Sequence, residues 1–111
     1  MKEKITFQDF LDIANKLEIT YGKIVTAEFL PKNNKMLKLM VDFGEAEQRS
    51  VVTNIGKKVA EISNLVGCVL PFITNLEPSV ISGVESTAMI MIAETETGIE
   101  FKDFSIGAKL L

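Results

Sequence analysis

A chain of 111 residues, 47% hydrophobic and 24% charged, fits one globular domain that buries enough surface to fold. It contains no histidine and one cysteine, Cys68, which excludes Ser-His-Asp and Cys-His catalysis, an ordinary zinc site and an internal disulfide. The net charge is only −3, no apolar run approaches the roughly 20 residues of a membrane helix, and the start lacks a signal peptide's apolar segment. A cytoplasmic location is therefore expected.

Residues 5 to 17 predict a helix, with Phe7, Phe10, Leu11, Ala14 and Leu17 forming one apolar stripe at three- and four-residue steps. Thr6, with Asp9 three residues on, fits a capping box. The stripe either covers the domain's own core or serves a dimer contact. After Glu18 the period becomes alternating, and "ITYGKIVTAEFL" reads as a long strand with a bulge or bend expected at Gly22. Pro31 and "KNNK" mark a turn. In "MLKLMVDF", Leu37, Leu39, Val41 and Phe43 share one face, while Met36, Lys38, Met40 and Asp42 share the other. "GEAE" connects to a third strand, "QRSVVTNI".

"GKKVAEISNLVG" breaks the β pattern and suits a short helix with Val59 and Ile62 on one side. Cys68 follows in "VGCVLPF", where it reads as a small buried hydrophobe; without a histidine, a reactive thiol has nothing to activate it. "CVLPFIT" is a fourth strand, with Pro71 pointing to an edge or bulge. "NLEPSVISGVEST" reads as a loop and "AMIMIAE" as a fifth strand. "TETG" makes a turn, and the tail offers Ile99, Phe101 and Phe104 for packing. Five strands with a helix between the third and fourth follow the order of an OB-fold. The expected class is therefore all-β with small helices: a five-stranded Greek-key barrel carrying an amino-terminal helix. An SH3-like barrel would not explain the helix.

The stretch "ISGVESTAMIMIAE" sets a flexible polar patch against an apolar run, as a nucleophile turn, a phosphate loop or a binding lip would. Ser82 and Ser86 have no visible general base and no S-x-x-K motif, so nucleophilic catalysis is not expected. The chain lacks G-x-x-x-x-G-K-[ST], G-x-G-x-x-G and the EF-hand calcium loop, so neither cofactor nor metal is expected. From Lys23 to Lys58 bases outnumber acids seven to four, whereas no Lys or Arg lies between Lys58 and Lys102. This basic front can bind phosphates locally, or simply be a solvated face.

At "NLEPSVISGVESTAM" the sequence resembles the tRNA-binding domain family, which includes synthetase-appended domains, free-standing tRNA-binding proteins and the CsaA chaperones. Asn75, Leu76, Pro78, Gly83, Ser86 and Met89 meet the family pattern. Upstream, Lys35, Leu37, Lys38, Leu39, Asp42, Gly44, Arg49 and Val52 match its second and third strands, "FQDFLDI" its amino-terminal helix and "GAKL" its ending. The resemblance spans the chain, and one domain over 1–111 is expected: a helix to residue 18, a barrel over 19–94 and a tail over 95–111, whose apolar residues suit a dimer contact.

The resemblance also implies a non-catalytic tRNA-binding protein that recognises tRNA by shape and backbone and acts beside an aminoacyl-tRNA synthetase, methionyl-tRNA synthetase above all. A homodimer is expected from the residues themselves, because the Phe7/Phe10 helix and the tail around Phe101 and Phe104 offer more apolar surface than one small barrel covers. Lys35, Lys38 and Arg49 would meet phosphates, Asn75, Ser86 and Met89 would form the rim, and Gly83 would set the loop geometry. Glu77, Ser79 and Val80 stand where cations are common in the family, Asn54 replaces a glycine, and Thr87-Ala88 replaces Gln-Gly. An uncharged rim weakens phosphate binding, which keeps open a second reading: a CsaA-like export chaperone or interaction module for unfolded polypeptide.

Overall fold

The computed structural model describes residues 1–95, 98–100 and 106–107. Helix α1, Phe7–Ala14, begins where Thr6 Oγ1 accepts the Asp9 N–H at 3.1 Å. That is one half of the expected capping box. No residue of α1 is buried, and none belongs to the core. Of the two roles open to its stripe, covering the domain's own core is therefore not the one adopted. Phe7 is 74% exposed and Phe10 51%, their rings 6.2 Å apart.

Strand β1, Ile19–Phe29, is long because it serves two partners. Its first half pairs with β4, Val69–Ile73, and its second with β2, Leu37–Asp42, with Lys23 common to both ladders. The register slips between Ile24 and Thr26, so the bulge lies at Val25 and not at the expected Gly22. Gly22 answers a different demand. A Cβ there would fall 2.5 Å from both the Phe43 ring and the Val41 side chain, so only glycine lets β2 curl this closely over β1.

Strand β3, Arg49–Thr53, pairs with β2. The expected alternation in β2 holds: Leu37, Leu39 and Val41 are completely buried, with Phe43 just beyond them, while Lys38, Met40 and Asp42 face out. Opposite them lie Ile24, Val51, Leu65, Leu70 and Phe72, with Phe43 edge-on to Phe72 at 5.2 Å between centroids. Each such side chain contributes about 1.5–3 kcal/mol by leaving water. A 3-10 helix, Ile62–Leu65, plugs the barrel between β3 and β4 with Leu65, and Val59, Ile62 and Cys68 pack against the same core.

Pro71 sits within an interior strand instead of an edge: β4 lies between β1 and β7, Met89–Ile90. The Pro71 carbonyl accepts the Met91 N–H at 2.9 Å, and its missing N–H faces that same side, where the short β7 ladder runs out. The expected loop before β7 contains a hairpin, β5, Ser79–Ile81, with β6, Val84–Ser86. Its turn residues, Ser82 and Gly83, have φ of 50° and 80°, as a type I′ turn requires. A second hairpin joins β8, Ala93–Thr95, to β9, Gly98–Glu100. Phe101, Phe104 and the Ile99 side chain lie outside the described residues.

The main sheet runs β3-β2-β1-β4-β7 and curls into a half-barrel of OB type. Its two ends, β3 and β7, share no ladder. They are joined instead by bonds to residues 85–87: Thr87 N–H to the Ser50 carbonyl (3.2 Å), Val52 N–H to Ser86 Oγ (3.0 Å) and the Ser50 hydroxyl to the Glu85 carbonyl.

Candidate functional site

Where the curled sheet does not zip up, a groove of about 530 Å³ opens. One wall is the end of β3, from Val52 to Ile55, with Lys35 and Met36 from the β1–β2 turn. The other holds Leu76 and Glu77 after β4, Ser79 and Ile81 of β5, and Met89 of β7. Most of this lining is apolar. Leu76 is 41% exposed and Met89 56%, so the groove presents aliphatic and thioether surface to water.

The basic lip is built from the backbone up. Asn33 Oδ1 accepts the N–H groups of Lys35 and Met36, each at 2.8 Å, and Leu30 N–H closes the turn on the Met36 carbonyl at 3.0 Å. Gly56 N–H then donates to the Lys35 carbonyl at 2.8 Å, sewing the 30–36 turn to the segment after β3. A Cβ at Gly56 would fall 2.7 Å from both the Lys35 carbonyl oxygen and the Phe29 ring. This contact therefore demands glycine, and it brings exposed Lys57, the next residue, beside the Lys35 turn. Lys38 lies on the outer face of β2, between Glu28 of β1 and the groove residue Val52 of β3.

The expected site residues thus separate into two groups. Lys35, Met89 and Ser86 line the groove, with Lys38 next to it. Ser86 is buried, and its hydroxyl oxygen accepts the Val52 N–H, so it fastens the groove floor. Gly83 occupies the hairpin turn with open space around it.

Asn75 and Arg49 lie elsewhere. Asn75 Oδ1 accepts the Glu18 N–H at 2.8 Å, and its Nδ2 donates to the Lys16 carbonyl at 2.6 Å, tying the α1–β1 link to the end of β4. Arg49 lines a separate cleft of about 210 Å³ with Glu18, Thr20, Phe43, Glu45 and Thr74. Its Nε and Nη2 donate to the Glu45 carboxylate at 2.9 and 2.7 Å, and Nη1 donates to the Thr74 carbonyl at 2.8 Å. The guanidinium carbon lies 5.3 Å from the Phe43 ring centroid. Hydrogen bonding to Arg49 lowers the Glu45 carboxyl pKa, and hydrogen bonding to Glu45 raises that of Arg49. Thr74 Oγ1 donates to Glu18 Oε1 at 2.6 Å and lies 3.1 Å from Thr20 Oγ1.

Sequence reasoning does not single out Met36 or Ile81 as site residues. Met36 was legible as an outward position of the β2 alternation directly after Lys35. Ile81 depends on the hairpin fold, and its only local signal was Ser-Gly between β-branched residues. Among the described residues, no helix is long and apolar enough to cross a membrane.

A half-barrel of OB type with a lysine-lipped groove at its open seam defines the class of a small β-sheet binding domain. The chain belongs to the tRNA-binding domain family: residues 19–109 match the model described as "Putative tRNA binding domain". It is 44% identical over 90 residues to a methionine–tRNA ligase of Methanococcoides burtonii, covering 81% of this chain and 12% of that protein. A second such ligase, from Archaeoglobus fulgidus, is 37% identical over 86% of this chain and 14% of its own length. The chain therefore spans about an eighth of these relatives. Among solved structures, a MetRS related protein from Pyrococcus horikoshii matches with TM-score 0.77 and 32% identity, over 99% of this chain and 100% of that one. The CsaA chaperone protein of Picrophilus torridus shares the fold, with TM-score 0.77 at 21% identity over 97% of this chain and all of its own.

Proposed function

We propose that this protein is a non-catalytic tRNA-binding protein that takes the phosphate backbone on the lip formed by Lys35, Lys38 and Lys57. The observation that carries the reading is the bond between Gly56 and Lys35, which gathers two lysine-bearing turns at the groove of a chain in the tRNA-binding family. Arg49, whose three nitrogens all donate within the protein, fastens the opposite end of the barrel. Asn75 and Ser86 shape the scaffold, and Met89 stands on the groove rim. The similarity to methionine–tRNA ligases supports a role beside such a synthetase in the cytoplasm. The exposed stripe of α1 supports a homodimer, which doubles a weak binding face.

If these three lysines act together, log affinity against log salt has a slope of roughly −2 to −3, with micromolar affinity. Filter binding of bulk tRNA at several salt concentrations tests this. Lys35→Ala flattens the slope by about one unit, because it removes one phosphate partner. Arg49→Ala leaves the slope nearly unchanged. Failure to retain tRNA even at low salt sinks the reading.

The apolar lining of the groove favours the second reading, a CsaA-like export chaperone or interaction module for unfolded polypeptide. That activity would persist at high salt, because its contacts are apolar. An aggregation-suppression assay run beside the filter binding separates the two.

A further inference from the structure

Contact with a duplex backbone uses the lysines and leaves the groove idle. Met36, Ile81 and Met89 would then keep their apolar surface against water beside a cationic lip. The ligand that suits both features carries negative charge and flat apolar faces on one chain. We propose that the groove seats an unpaired RNA base, its flanking phosphates lying on Lys35 and Lys57. A single-stranded segment of the tRNA, and not its helical shape alone, is then recognised. This inference rests on the tRNA-binding reading and names the part of the RNA that enters the site.

Four observations converge on it. The groove, about 530 Å³, has ample room for a nucleobase. Its thioethers, from Met36 and Met89, are polarizable and adapt to any base, as sequence-tolerant binding requires. Asn54, exposed on the same wall, offers a donor and an acceptor to a base edge. Outside the groove, at the end of β1, Phe29, 42% exposed, lies against Gly56, so an aromatic ring adjoins the same lysines. Unstacked bases, apolar or aromatic faces and flanking cations are the parts from which single-strand recognition is built. Charge also separates an RNA from a polypeptide here: the lip adds lysines where an unfolded apolar segment would gain nothing from them.

Five methionines serve as probes in the full-length protein. With methyl-labelled methionine, a short oligoadenylate is titrated in at low salt, beside a blunt RNA duplex and bulk tRNA. The expected result is a ring-current shift of the Met36 and Met89 methyl signals with oligoadenylate and tRNA, while Met1 and Met40 stay in place. The blunt duplex leaves Met36 and Met89 unmoved. Met89→Ala, an exposed change that spares the core, weakens oligoadenylate about five-fold and leaves the salt slope intact. Phe29→Leu keeps the packing on Gly56 and gives a second, smaller loss.

If tRNA is retained but Met36 and Met89 do not shift, or shift equally with the blunt duplex, the base site is overturned and the tRNA reading stands. If neither RNA is retained, both fall. If an uncharged unfolded peptide displaces oligoadenylate from the groove without loss at high salt, the groove belongs to polypeptide and the proposal is overturned.

Discussion

Ser86 shows how one atom serves both the fold and the site. Its buried hydroxyl accepts the Val52 N–H at a point where no ladder partner exists. Ser86→Ala would leave that donor unsatisfied and cost about 1–3 kcal/mol, readable as a lower urea midpoint. RNA affinity should fall only as the groove floor loosens, with the salt slope unchanged. An unchanged midpoint would show that the seam does not depend on this bond.

At the other end, the Glu45 carboxyl is held below the ordinary glutamate range by its hydrogen bonds to Arg49. A depressed carboxyl pKa stabilises the fold above the unfolded-state value and loses that contribution as pH falls through the folded-state value. The pair is partly solvated, so it is worth at most about 1 kcal/mol. Glu45→Gln should therefore be less stable than wild type near neutrality, and the difference should close in the acid range. A difference constant with pH would count against the pairing.

At the scale of elements, the curl of the sheet depends on a pair of neighbouring features in β1. The slip at Val25 hands the strand from one partner to the next, and Gly22 lets β2 approach. Gly22→Ala would drive a methyl into Phe43 and Val41 and should cost about 1–3 kcal/mol, whatever small backbone-entropy gain alanine brings. Calorimetry showing equal or higher melting temperature would mean that β2 can retreat at no cost. Gly56 makes the parallel demand at the lip, where its missing side chain admits the Lys35 carbonyl. The groove's cationic edge is thus set by a glycine as much as by its lysines.

For the whole molecule, the apolar stripe of α1 calls for a partner. Ile13 and Leu17 continue the exposed surface begun by Phe7 and Phe10. A monomer rarely leaves such a stripe in water. A second copy of the chain, burying the stripe about a two-fold axis, is the expected answer. Light scattering at micromolar concentration should give twice the chain mass of 12.3 kDa. Phe7→Glu with Phe10→Glu should return a folded monomer, because neither ring contributes to the core. A monomeric wild type would remove the dimer from the proposed function.

Period and composition alone located four of the barrel's strands, because alternation is a local property: the inward row Leu37, Leu39, Val41 and Phe43 needs no partner to be recognised. The fifth, expected over "AMIMIAE", joins the main sheet only at Met89–Ile90, while Ala93–Thr95 turns off into a separate hairpin. The lack of histidine likewise settled in advance which catalytic chemistries were unavailable. The family resemblance singled out the motif residues but could not say what each one holds. Arg49 and Ser86 look like surface ligands in one dimension. In three, Arg49 is claimed by Glu45 and the Thr74 carbonyl, and Ser86 by a backbone donor 34 positions away. The hairpin at Ser82-Gly83 and the groove it rims depend on pairings between distant segments, as does the gathering of Lys35 and Lys57 by Gly56. Only tertiary structure decided these, because a polar side chain's role is set by whichever donor or acceptor the fold brings to it, and no local period encodes that meeting.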